Sequence, residues 1–130
     1  MRILIAEDDL TGRKILQKFL SQYGECDIAI DGLEALDSFL SAHSEGNPYE
    51  LICLDIMMPK LDGIKVLRAI RDIEKQKKIG EDSRVKIIMT TALNDKKTIM
   101  ESYDLGCEAY AWKPIELDKL KEVLQKLLLI

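Results

Sequence analysis

Leu51-Ile52-Cys53-Leu54-Asp55 is a run of four apolar residues that stops at a carboxylate. It is too short for a buried helix and shows no polar alternation, which marks a strand covered on both faces. The same form recurs on either side of it. Ile3-Leu4-Ile5-Ala6 runs into Glu7-Asp8-Asp9, and Lys86–Thr90 runs into Thr91. Asp27–Ile30 and Ala109–Trp112, the latter followed by Lys113-Pro114, complete a set of five predicted strands.

Between the strands lie amphipathic stretches of helical length. Leu16, Phe19, Leu20 and Tyr23 recur at i, i+3, i+4, i+7, as do Leu120, Val123, Leu124 and Leu127, and each set makes one buried stripe. Leu33–Ser44, Ile64–Lys75 and Lys96–Asp104 also read as helices, the last opened by Asn94 or Asp95 as a cap and closed by Gly106. The order is β-α five times. Such alternation implies right-handed crossovers and a doubly wound α/β fold, a five-stranded parallel sheet with helices on both faces. Ligands of that architecture sit beyond the carboxyl ends of the strands.

With 130 residues the chain has the size of one domain, spanning 1-130. Hydrophobic residues at 47% and charged residues at 32% argue against both a disordered chain and a membrane protein. A net charge of -4 without a basic stripe argues against nucleic acid as a direct partner. The start meets acid at Glu7, too early for a signal peptide or membrane span, so the expected compartment is the cytoplasm. Cys26, Cys53 and Cys107 form no CxxC pair and are expected to be reduced. The single histidine, His43, cannot build a zinc site or a triad alone. The charged stretch from Arg68 to Arg84, with Glu74 and Lys78 at i, i+4, is expected to be a solvated helix end and loop.

The strand endings share one edge of the predicted sheet. Asp55 at the mouth of a buried strand, with Glu7 and Asp8 beside it, makes a negative cluster that repels itself unless a cation intervenes. Oxygen ligands of this kind suit magnesium, whose charge would also make Asp55 a feasible nucleophile towards a phosphoryl group. Lys113 is the one cation among the endings, able to pair with carboxylate or phosphate. Thr91 offers a hydroxyl to a phosphate oxygen.

Taken in order, Ile3–Asp9, Leu54-Asp55-Ile56-Met57-Met58-Pro59 with Asp62-Gly63, Thr91-Ala92, and Tyr110 with Lys113-Pro114 resemble the receiver domain of two-component response regulators. The resemblance covers essentially the whole chain and implies a flavodoxin-like (βα)5 sheet of strand order 2-1-3-4-5. It implies Asp55 as phosphoacceptor, Glu7 and Asp8 as the acidic pair for Mg2+, with Asp8 binding directly, and Met57 lending its backbone carbonyl to the metal. Thr91 and Tyr110 are implied as the switch pair and Lys113 as the phosphate-binding lysine. Asp9 reads as a helix cap. A histidine kinase or phosphotransfer protein is the implied donor, and an α4-β5-α5 surface the output to a protein partner. The chain is expected to be a switch rather than an enzyme, with at most self-phosphorylation from small donors and slow autodephosphorylation.

Departures from the family pattern carry expectations of their own. Met57 and Leu93 are apolar where the family tunes the hydrolytic water, which implies a long-lived phosphoryl group. Trp112 replaces a smaller residue, either as packing or as a partner anchor. No output domain follows within 130 residues, so the chain is expected to act as a stand-alone regulator or a relay intermediate. Three rivals fit less well. A flavodoxin-type cofactor binder needs a Ser/Thr/Gly-rich loop where Glu7-Asp8-Asp9 stand. A dehalogenase-like phosphohydrolase needs an acid where Met57 stands. A pseudo-receiver would lack residues that this chain has.

Overall fold

The computed structural model describes residues 1–130. The strands are β1 (Arg2–Ala6), β2 (Glu25–Ala29), β3 (Leu51–Leu54), β4 (Lys86–Thr91) and β5 (Ala109–Trp112). The helices are α1 (Leu10–Leu20), α2 (Gly32–Ser44), α3 (Gly63–Gln76), α4 (Lys96–Asp104) and α5 (Leu117–Lys126). All pairings are parallel and the order is β2-β1-β3-β4-β5, the doubly wound arrangement expected. Four helices open on an aspartate. Asp9, Asp31, Asp62 and Asp95 each accept a hydrogen bond from the backbone three residues on, the usual relief for unpaired N–H groups of a first turn. Asp95, not Asn94, caps α4.

Alternation along the strands divides the interior into two cores. Leu4, Ala6, Ile52, Leu54, Ile87 and Met89 meet α2 and α3 through Phe39, Val66, Leu67 and Ile70. Ile3, Ile5, Leu51, Cys53 and Ile88 meet α1 and α5 through Leu16, Leu20, Leu120 and Leu124. β3 is apolar throughout, and β1 from Ile3 onward, because both their faces are covered. β2, at the sheet edge, starts at Glu25 rather than Asp27, since its ladder to β1 begins at Arg2↔Glu25 whatever the side chains are. Ile30 falls outside it, 46% exposed. No helix is long and apolar enough to cross a membrane.

One expectation is corrected. The charged stretch from Arg68 to Arg84 is not merely a solvated helix end, because Glu74 is fully buried. Arg71 donates to Glu74 Oε1 at 2.7 Å, Val85 O at 2.8 Å, Gly106 O at 2.8 and 3.0 Å and Glu108 Oε1 at 2.8 Å. Glu74 Oε2 accepts from the Val85 N–H at 2.9 Å, and Glu108 Oε1 from the Ile87 N–H at 2.6 Å. Glu74 thus pairs with Arg71, not Lys78. The cluster ties α3 to the starts of β4 and β5, at the sheet end opposite the acidic residues. All three cysteines are free, Cys53 and Cys107 buried. At the C-terminus, Leu127 and Leu129 pack on the α1/α5 core while Leu128 is 90% exposed.

Candidate functional site

Parallel pairing puts every strand's carboxyl end on one edge, which gathers groups far apart in sequence. Ile5 pairs with Cys53, Cys53 with Ile88 and Ile88 with Ala109. Two residues further on, Glu7 and Asp55 lie side by side on the face towards α1 and α5. Both are buried, at 0% and 4% exposure. Asp8 follows Glu7 and is exposed. Glu7, Asp8 and Asp55 each bring a carboxylate oxygen within 4.8 Å of the other two.

Lys113, which follows the edge strand β5, answers this charge. Its Nζ donates to Asp55 Oδ2 at 2.9 Å and contacts Glu7 Oε1. The Lys113–Pro114 peptide is cis. Burial alone would lower the lysine pKa, but the bonds to Glu7 and Asp55 outweigh it and hold the ammonium charged. Glu7 moves the other way, pushed up to about 7, first by burial and then by the neighbouring Asp55, against the pull of Lys113. The Met57 N–H donates to Asp55 Oδ1 at 3.3 Å, so the carboxylate is held from both sides. Two carboxylates besides Asp55, all oxygen donors in excess of the one ammonium, fit a hard divalent cation of the magnesium type. Asp9 is taken up by its cap, accepting from Gly12 N at 2.8 Å.

Thr91 ends β4, fully buried. Its Oγ1 accepts from the Leu93 N–H at 3.3 Å, which leaves the hydroxyl proton free to donate. Tyr110 OH donates to the Leu93 carbonyl at 2.6 Å, and burial pushes its phenol up to about 12. Thr91 and Tyr110 are therefore joined through one residue of the β4–α4 loop. Trp112 is 51% exposed, with its ring 5.7 Å from that of Tyr110, so it is a surface residue rather than a core one.

Every site residue read from the sequence lies at this edge: Asp55, Glu7, Asp8, Lys113 and Met57 in one group, Thr91 and Tyr110 in the loop linkage. Sequence reading misses Arg13 and names Gly63 only as part of a motif, without a role. Arg13 on α1 donates to the carbonyls of Glu7 and Asp8 at 3.3 and 3.2 Å, bracing the acidic turn, and nothing in its spacing announces this. Gly63 lets α3 pass Asp55, since a Cβ there would stand 2.2 Å from the Asp55 carbonyl oxygen. Its place after a capping aspartate was the available signal.

Comparison with known proteins agrees with this geometry. A family model described as the response regulator receiver domain matches residues 3–125. The chain is 36% identical over 126 residues to hybrid signal transduction histidine kinase L of Dictyostelium discoideum, covering 96% of this chain and 7% of that protein. The chain spans about half the length of probable transcriptional regulator ycf27 of Cyanophora paradoxa and of response regulator MprA of Mycobacterium avium, at 48% and 51%. Among solved structures, a chain of the CheX-CheY-BeF3-Mg+2 complex from Borrelia burgdorferi superposes with a TM-score of 0.85 at 25% identity, covering 98% of this chain and 89% of that one. A chain of the Saccharomyces cerevisiae co-crystal of the histidine phosphotransfer protein Ypd1 and the receiver domain of Ssk1 gives 0.79 at 31%, covering 96% and 87%.

Proposed function

The chain belongs to the response regulator receiver domain family, a signalling switch of two-component systems, and we propose that Asp55 is its phosphoacceptor, charged by a histidine kinase or phosphotransfer protein. The observation that carries this is the Asp55 carboxylate, held 2.9 Å from Lys113 and within 4.8 Å of the Glu7 and Asp8 oxygens at the mouth of β3. The co-crystal of a receiver with a phosphotransfer protein supports the donor class. The 130 residues act as one receiver unit in the cytoplasm.

Glu7, Asp8, Asp55 and the Met57 carbonyl are the groups that would hold magnesium. When bound, the ion offsets the negative charge that a phosphoryl group brings to three carboxylates. An Asp55 oxygen attacks phosphorus, the P–N bond of the phosphohistidine breaks, and its electron pair leaves with the imidazole nitrogen. Lys113, already charged and aimed at Asp55, follows the phosphoryl oxygens. Thr91 donates its free proton to one of them.

The new group adds roughly −1.5 to −2 charge and three acceptor oxygens. Thr91 cannot turn towards it without disturbing the Leu93 N–H that its oxygen holds, and the Leu93 carbonyl in turn holds Tyr110. The signal thereby passes from Asp55 to the α4-β5-α5 surface. Moving such an equilibrium from mostly off to mostly on takes roughly 3–5 kcal/mol, within reach of a few charge-assisted hydrogen bonds. Met57 is 61% exposed over the site and Leu93 is apolar, so neither orients a hydrolytic water and the phosphoryl group is long-lived.

Incubation with magnesium and a small acyl phosphate tests the reading. Intact mass should show one phosphoryl group, absent in Asp55→Asn, with a change in Trp112 fluorescence. Label on the Asp55→Asn protein, or none on the wild type, overturns it.

A further inference from the structure

β4 carries a buried hydroxyl to which no role has been attached. Thr90 is fully buried, and its Oγ1 has no hydrogen-bond partner. An unsatisfied buried hydroxyl costs about 1–3 kcal/mol. Valine would fill the same β-strand position without that cost.

Its location narrows the explanation. Met89 packs into the α2/α3 core and Ile88 into the α1/α5 core, so alternation turns Thr90 to the α1/α5 side. Leu54 pairs with Met89, and continuing that register places Thr90 beside Asp55. On its other side Thr90 pairs with Ala111, which packs on the same core. The row on this face is Glu7, Asp55, Thr90, Ala111.

Lys113 stands two residues beyond Ala111, yet its ammonium reaches Asp55 on β3 and Glu7 on β1. With the strand order β1-β3-β4-β5, the lysine chain has to cross β4, and the β4 residue on that face is Thr90. Ala111 is small and leaves the path open. An ammonium has three donors; Asp55 Oδ2 accepts from one at 2.9 Å while Glu7 Oε1 makes an ion-pair contact that is not a hydrogen bond, so the ammonium keeps donors to spare.

We propose that Thr90 is a positioning residue for phosphoryl transfer: its hydroxyl oxygen, without a partner at rest and on the face that the Lys113 chain must cross, accepts an ammonium hydrogen when Asp55 becomes phosphorylated and keeps Lys113 aimed. The proposal rests on the reading of Asp55 and Lys113 above. At rest the ammonium is drawn towards the two carboxylates. Once an Asp55 oxygen carries the phosphoryl group as an acyl phosphate, the lysine shifts towards that group and the hydroxyl guides it.

The test compares wild type, Thr90→Val and Thr90→Ser in uptake of phosphoryl from acetyl phosphate with magnesium, and in binding of beryllium fluoride followed by Trp112 fluorescence. Thr90→Val should lower the plateau rate and weaken beryllium fluoride binding about tenfold, the worth of one hydrogen bond to a charged group, while half-saturation in acetyl phosphate stays unchanged. Thr90→Ser should restore both. In a Lys113→Gln background, Thr90→Val should change nothing further. Equal rates in wild type and Thr90→Val overturn the proposal, as does a loss that serine fails to rescue or that persists without Lys113. Should Thr90→Val not fold, Thr90→Ser against Thr90→Ala decides, with equality counting against the proposal. A wild type that takes no phosphoryl group refutes the phosphoacceptor reading instead.

Discussion

Arg71 is the residue whose removal should cost the fold most for its size. Its guanidinium lies at the end of the sheet away from Asp55, with the side chain 13% exposed and donors on Glu74, Glu108, Val85 O and Gly106 O. Arg71→Met keeps the aliphatic stem and deletes every one of these bonds. Glu108 is 25% exposed and can rehydrate, whereas Glu74, at 1%, is left as a buried charge without a cation. Breaking one side of such a pair costs about 3–5 kcal/mol. For 130 residues, an unfolding entropy of about 2.1 cal/mol/K per residue converts this into a fall in Tm of about 11–18 °C. Urea unfolding by circular dichroism measures it directly. Adding Glu74→Gln to Arg71→Met should recover part of the loss, because it removes the stranded charge and keeps an acceptor for the Val85 N–H. Arg71→Lys should remain well below wild type, since one ammonium cannot span partners on three elements. A loss under about 1 kcal/mol, or no recovery with Glu74→Gln, would show that the cluster is solvated and the reasoning wrong.

Three further outcomes follow from the site. Gly63→Ala puts a Cβ 2.2 Å from the Asp55 carbonyl oxygen and 2.7 Å from Ile56 Cα. It should therefore lose about 1–3 kcal/mol in chemical unfolding and slow phosphoryl uptake together, and an unchanged uptake rate would argue against that close approach. Because Glu7 is raised to about 7 from the ordinary 4.5, a proton competes with a cation below that pH. Magnesium affinity by calorimetry should climb from about pH 6 to about pH 8 with proton release. The metal-free fold, whose native state holds that proton more tightly than the unfolded chain, should lose stability as pH rises from about 4.5 to about 7 and change little above it. Affinity independent of pH contradicts it. Tyr110→Phe removes the donor to Leu93 O and should cost about 1 kcal/mol while speeding amide exchange in the β4–α4 loop; exchange at the wild-type rate would mean that the tyrosine does not hold that loop.

Much of this protein is legible in one dimension. Runs such as Leu51–Leu54 must be buried on both faces, helical stripes must face a sheet, and alternation of the two leaves few topologies, because apolar periodicity and chain chirality are local properties. The acids after β1 and β3 and the lysine after β5 could be placed at one edge on those grounds alone. Tertiary structure decided the rest. That Arg71 and Glu74 are buried depends on Val85, Gly106 and Glu108, whose distance along the chain carries no periodic signal. That Thr90 shares a face with Asp55 and Ala111 depends on strand order and on which way each side chain turns at a given register. Local pattern specifies what must be hidden; only packing in three dimensions determines which charge meets which, since electrostatic partners are chosen by distance in space and not by spacing in sequence.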